Sequence, residues 1–215
     1  MRRRGTSDTK GFTLIEMAFV LVIVGILISM GVELLPMLVK QKKYADTRSA
    51  VAQARTALIG YARANGRLPR ASSSTNGLET ANTYRGYLPY ATIGLGSNGR
   101  DPYTRTLFYA VHQDLTTTTS ANFYSTLVTI SSSPPNNRTL YADGAAGTGY
   151  RAAFLVLSSG ADLRVNAPND DNKNGIVNNG DDRSFAQPGS PETATYDDYL
   201  EAVDINQMIG LLPLP

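Results

Sequence analysis

Cysteine and tryptophan are absent from the 215 residues, and histidine occurs once. The first absence excludes disulfides and thiolate metal sites. It leaves the compartment open, because an oxidising space permits disulfides without requiring them. A histidine-based catalytic centre would have to rest wholly on His112, in YAVHQDL at an expected strand end, where it reads as a surface or turn residue. There is no G-x-S-x-G and no phosphate-cradling glycine motif, so nothing in the sequence points to an enzyme.

Charge is also scarce, at 18% of residues, and the formal net charge is only +2. Arg2, Arg3, Arg4 and Lys10 stand against Asp8 within residues 1–11, a local net of +3. The remaining 16 basic and 17 acidic residues leave the body near neutral. That distribution argues against a nucleic-acid partner, which would need a concentrated basic footprint.

What the sequence does have is a long apolar run. Sixteen uncharged residues extend from Met17 to Val32, and the 21 residues from Phe12 to Val32 make about 32 Å of helix. A bilayer core is about 30 Å thick, so this is a membrane-spanning length. A secretory signal peptide is excluded by the length of the run and by the lack of a small-residue cleavage site after it. The basic start favours the cytoplasmic side, a bias weakened by Lys40, Lys42 and Lys43 beyond the span. Glu16 stands at the N-terminal edge of the run. An acid at the centre of a lone span costs about 2.5–3.5 kcal/mol, and less near an end. Two readings follow: an interfacial carboxylate reaching for headgroups, or one that needs a buried cationic partner. A cut just before Phe12 would create such a partner, an α-amine, on a neighbouring helix.

The stretch GFTLIE, Gly11 to Glu16, followed by an uncharged helix containing Gly25, resembles the class III signal of type IV pilins and type II secretion pseudopilins over residues 8–32. The resemblance implies cleavage between Gly11 and Phe12 by prepilin peptidase and N-methylation of Phe12. It implies further that Glu16 pairs with the amine of a neighbouring Phe12 during assembly. Many family members carry proline where this chain has Glu33. The nearest proline here is Pro36, so a kink or melted stretch is expected toward Gly31–Pro36. Glu33 itself reads as interfacial.

The expected fold is α+β and pilin-like: a long N-terminal helix packed on a small antiparallel β-sheet headgroup. Residues 1–11 are the leader, 12–65 the helix (12–32 in the membrane or filament core), and 66–215 the headgroup. Tyr44, Val51, Ala54, Leu58 and Ala62 recur at helical spacing, and Asn65-Gly66 with Pro69 beyond reads as the helix stop. Strands are expected over Thr106–Val111, Ser125–Ser131 and Tyr150–Ser158, with a weaker one over Arg138–Ala142. SSSPPNN reads as a hairpin connection, residues 71–105 as a long polar loop, and YDDYLEAVDINQMIGLL as a closing helix. Within that loop, GYLPYATIGLGSNGRDPYTRTLFYAV resembles the pseudopilin region leading into the first headgroup strand.

A second informative stretch is DDNKNGIVNNGDD. Asp170, Asn172, Asn174 and Gly175 fit the D-x-[DN]-x-[DN]-G start of a calcium loop, and Asp181 falls at its twelfth position. Ile176 would contribute its carbonyl, and Asn178 would act through water. Hard oxygen ligands on alternate residues converge where glycine permits a sharp turn. No flanking helices are expected, so this is an EF-like loop rather than an EF-hand, with Ca2+ affinity on the order of 0.1–1 mM. The opposing reading is an ordinary solvated Asp/Asn/Gly loop.

The sequence thus indicates a structural filament subunit. Its partners would be other pilin-like subunits, prepilin peptidase, an inner-membrane assembly platform, and membrane lipid before assembly. The lack of a C-terminal cysteine pair, the calcium-type loop and the pseudopilin-like middle favour a periplasmic type II secretion pseudopilus that promotes export of folded proteins. A type IV pilus subunit for adhesion, motility or DNA uptake is the alternative, and a single-span membrane sensor or binding protein a remoter one.

Overall fold

The computed structural model describes residues 11–96, 99–119, 121–143, 150–170, 173–178 and 183–212, without the side chains of Met30 and Glu33. The chain divides into two compact units, Met1–Lys42 and Lys43–Pro215.

The first unit is the apolar part of helix α1, which extends over Leu14–Asn65. Its described large apolar side chains from Leu14 to Val39 are exposed, and they occupy every side of the helix. This part is long and apolar enough to cross a membrane, and none of its most apolar stretch is buried. The melted stretch expected at Gly31–Pro36 is not seen, for the helix continues through Pro36. Pro36 removes a single backbone donor, and the turns on either side carry the helix across.

The second unit begins with the rest of α1. Val51, Ala54, Leu58 and Ala62 are buried along one stripe, as the helical spacing predicts. Gly66 ends the helix with a positive φ of 62°, its N–H donating to the carbonyl of Ala62 at 2.9 Å. This is the left-handed cap that glycine adopts without Cβ strain.

The stripe packs on a five-stranded antiparallel sheet: β1 (Arg85–Tyr87), β2 (Phe108–Val111), β3 (Leu140–Tyr141), β4 (Arg151–Ser158) and β5 (Tyr199–Asp204). β4 is central. Phe154–Leu157 pair with β2 and Arg151–Ala152 with β3, while β5 follows the opposite edge. Alternate residues divide between two clusters. Tyr109, Val111, Phe154, Val156 and Val203 join the helix stripe. Phe108, Ala110, Leu155, Leu157 and Leu200 face Val165, Val177 and Phe185 on the other side. The sheet is therefore buried on both faces, which explains the unbroken apolar run in β4. Its second cover is made largely of irregular chain from the 165–186 region.

Several expected elements differ. Residues 125–131, expected as a strand, lie in helix α2 (Phe123–Ser132). Phe123 and Leu127, four apart, bury one face there. The Ser125, Thr126, Thr129 and Ser132 hydroxyls donate to carbonyls three or four residues back. Arg151 donates to the carbonyls of Ile130, Ser131 and Ser133 at the helix end. Tertiary packing thus overrides the β-branched composition. SSSPPNN consequently joins α2 to β3 instead of closing a hairpin.

The closing segment is β5 followed by a short helix, α3 (Ile205–Leu211), with the Asp204 carboxylate accepting from Asn206 N at 2.7 Å as the N-cap. β1 lies inside the presumed loop, bonded to Ser72 through both backbone groups of Tyr87. A Cβ on Gly86 would sit 2.5 Å from the Ser72 carbonyl oxygen, so only glycine permits that approach. The other expected strands are present with shorter bounds.

His112 follows β2, as expected, but it is not on the surface: it is 1% exposed. Burial pushes its imidazole down to about 4. The expected surface reading fails because His112 N donates to Ala153 O at 2.9 Å, carrying the pairing with the central strand β4 one residue past β2.

Candidate functional site

Two groups of residues carry the expected chemistry. The first is the start of α1. Gly11, Phe12 and Thr13 precede the helix and are exposed, Phe12 at 79%. Thr13 N and Thr13 Oγ1 each donate to Glu16 Oε2 at 3.0 Å, while Glu16 N donates to Thr13 Oγ1 at 3.3 Å. This reciprocal arrangement is a capping box. It satisfies donors that a helix start leaves open. The signal for it, Thr-x-x-Glu before an apolar run, is present in the sequence, and neither reading of Glu16 above used it. Both contacts use Oε2; among the described residues Oε1 accepts nothing. The carboxylate is thus pinned by one oxygen, which leaves the other without a contact among the described residues. A Cβ at Gly11 would meet nothing within 4 Å, so the chain's own packing does not require glycine there.

The second group is the segment from Asp170. Asp170 is 2% exposed. Its Oδ2 accepts from Gly175 N at 2.5 Å, and its Oδ1 has no hydrogen-bond partner among the described residues. Gly175 has φ 82°, and its carbonyl accepts from Val165 N at 3.1 Å. Asn174 Oδ1 accepts from Ile176 N at 2.9 Å. Val177 is buried in the second cluster and Ile176 packs against it. Among the described residues, Gly175 N is thus the backbone donor that ties the 173–178 stretch to the Asp170 carboxylate. Asn178 lies within the same described stretch, whereas Asn172 and Asp181 fall outside the described residues. Among the described residues, no group of three or more histidine, aspartate or glutamate side chains is placed to hold a metal ion.

Next to this segment lies an acidic network that sequence reasoning did not single out. Asp198 Oδ2 accepts from Asn166 N and from Asn169 Nδ2, both at 2.8 Å. Asp197 Oδ2 accepts from Ala161 N at 2.6 Å and Asp162 N at 3.1 Å. Burial above all, with Asp197 and Asp162 adding repulsion, pushes Asp198 up to about 7 despite its hydrogen bonds. Asp197 is raised as well, again chiefly by burial. The Tyr196 phenol is pushed up to about 12 by burial.

Residues 6–32 match the family model described as the prokaryotic N-terminal methylation motif. Neither the curated proteins nor the solved structures give a match. The matched residues include the Gly11-Phe12 pair, the capping box and most of the exposed apolar helix. The chain carries the prepilin-type signal of type IV pilins and pseudopilins, joined to a pilin-like α+β body.

Proposed function

We propose that the chain is cut between Gly11 and Phe12 by prepilin peptidase, methylated on the new amine, and assembled as a subunit of a type II secretion pseudopilus. The observation that carries this reading is the prepilin-type signal at the head of a helix whose apolar residues are exposed all round. Such a surface is stable only in lipid or against copies of itself. The same residues would serve first as bilayer anchor and then as filament core, with the headgroup on the periplasmic side. The exposed, non-helical Gly11–Thr13 segment suits a peptidase, which must bind extended chain. The lack of any packing demand at Gly11 is what a glycine retained for recognition would show.

Glu16 supports the assembly step. With Oε2 held by Thr13, Oε1 is aimed for the α-amine of a neighbouring Phe12. A buried ion pair is weak evidence of net stability but an effective way to fix alignment. Hydrophobic burial along the helix supplies most of the assembly energy, and the pair sets register.

The Asp170 segment would add to the secretion reading by holding a calcium ion. Its donors are all oxygen, suited to a hard cation. A buried carboxylate oxygen with no partner is costly unless a cation or donor meets it. Asp170, Asn174, the Ile176 carbonyl and Asn178, with Asn172 and Asp181, would hold the ion. A calcium ion bound there would supply positive charge that offsets the Asp170 carboxylate.

Deleting the gene and restoring it with Glu16→Ala tests the proposal. Lost export of folded proteins in the deletion strain, not rescued by a Glu16→Ala chain that still inserts in the membrane, is the expected result. Normal export with loss of surface fibres would assign the chain to a type IV pilus instead. Normal filament yield from Glu16→Ala would refute the register role.

A further inference from the structure

The segment beginning at Asp170 is closed at its base by a polar clamp centred on Asn169, which is 0% exposed. Asn169 Nδ2 donates to Asp198 Oδ2 at 2.8 Å and to Tyr196 Oη at 3.2 Å. Its Oδ1 accepts from Ala186 N at 2.7 Å, and its backbone N donates to Asn166 O at 2.8 Å. Asn166 closes the circuit: its N donates to Asp198 Oδ2 and its Oδ1 accepts from Asp197 N at 3.1 Å. Three distant pieces of chain therefore meet at one amide. They are the entry to the Asp170 segment, the exit at Ala186, and the approach to β5.

The exit is anchored in turn. Phe185 is fully buried, its N donates to Tyr141 O at 2.9 Å, and Tyr141 N donates to Arg183 O at 2.9 Å. An asparagine side chain suits this place because its planar amide donates from one end and accepts at the other. Aspartate would lose the donor, and an apolar residue would orphan both Ala186 N and one lone pair of Asp198. One residue from this fixed point stands Asp170, whose buried Oδ1 has no partner among the described residues.

The geometry points to Asn169 and Asp198 as positioning residues for the cation loop, holding its entry and exit together so that Asp170 Oδ1 is presented before calcium arrives. This rests on the calcium reading of the Asp170 segment proposed above. Asp198 acts in it as a double hydrogen-bond acceptor, not as a ligand or a source of attracting charge. A ligand held in place in advance loses less freedom on binding. Partners that orient metal ligands are typically worth about 10- to 100-fold in affinity.

The test is a calcium titration of the full chain in detergent micelles by calorimetry, using calcium alone as the probe. Asp198→Ala should weaken binding about tenfold or more. Asp198→Asn, whose amide oxygen still accepts both bonds, should restore the affinity. If Asp198→Asn binds as poorly as Asp198→Ala, charge and not position is at stake, and the clamp is overturned. Unchanged affinity in Asp198→Ala, with binding abolished in Asp170→Ala, overturns the clamp while leaving the calcium site standing. No calcium binding by the unaltered chain overturns both. Hydrogen exchange on the unaltered chain needs no variant to fold. The Asn166 and Ala186 amides should be protected without calcium, and free exchange at both would contradict a preformed clamp.

Discussion

The two parts of helix α1 use the same backbone for opposite ends. From Leu14 to Val39 the described large apolar side chains are exposed on every side; from Lys43 only a stripe is apolar, and Val51, Ala54 and Leu58 are each 0% exposed. The headgroup part is satisfied within one chain, because the sheet supplies a face for the stripe. The apolar part has no face to meet and can be covered only by lipid or by other helices. A helix can thus be folded and incomplete at once, and the incomplete half is where assembly is encoded. Gly25 and Gly31 fit that reading. A Cβ at either would meet nothing in the single chain. Glycine within a helix costs about 1 kcal/mol relative to alanine, so a reason to keep it must come from outside the chain.

The comparison is broken most forcefully at Leu58. Leu58→Ala should lower the stability of the headgroup by about 2–5 kcal/mol, read as a drop in melting temperature, and leave membrane insertion intact. The mirror experiment is Leu27→Arg. It should cost about 2.5–3.5 kcal/mol of insertion at the span, with headgroup melting unchanged. If Leu27→Arg also destabilises the headgroup, the two parts are not independent.

Acidity sharpens the contrast, because two buried headgroup groups respond to it with opposite signs. His112 in the folded chain lies near 4, against about 6.5 when unfolded. The folded state therefore holds fewer protons between those values. The stability His112 contributes is complete above about pH 6.5 and is lost as pH falls toward 4, a change of up to about 3 kcal/mol. Asp198 has the opposite sign. Raised to about 7 in the folded chain, it keeps a proton that the unfolded chain has released, so its contribution declines as pH rises from about 4 to 7. Thermal melts across pH 4–7 should show stability rising more steeply with pH in Asp198→Asn, and falling in His112→Phe. Identical slopes in both variants would show that neither group is buried as described.

The smallest effect belongs to Thr13. Thr13→Ala removes the hydroxyl from the capping box, and should leave headgroup melting unchanged while increasing amide exchange over the first turn of α1. Unchanged exchange there would mean that the box does not hold in the membrane.

Legibility in the sequence followed the range of the interactions. The long helix could be read because its apolar run and its Asn65-Gly66 stop are local signals. β4 could be read because a strand buried on both faces is uniformly apolar. α2 could not, since Ser125–Ser131 has strand-like composition and its helical state depends on Arg151 and the surrounding packing. β5 carried a period-two alternation, with Leu200 and Ala202 facing the core, but the helix-forming residues around it obscured the pattern. The calcium-type loop was visible as a spacing. The clamp was not, because Asn169 and Asp198 lie 29 residues apart and nothing local marks either as buried.

The central claim is that the exposed apolar half of α1 becomes a filament core only after Glu16 gains a partner made by processing. Mass spectrometry of the chain purified from cells containing prepilin peptidase tests it most directly. The account predicts a mature N-terminus at Phe12 carrying one added methyl group. A chain that retains Met1 through Gly11 would contradict it.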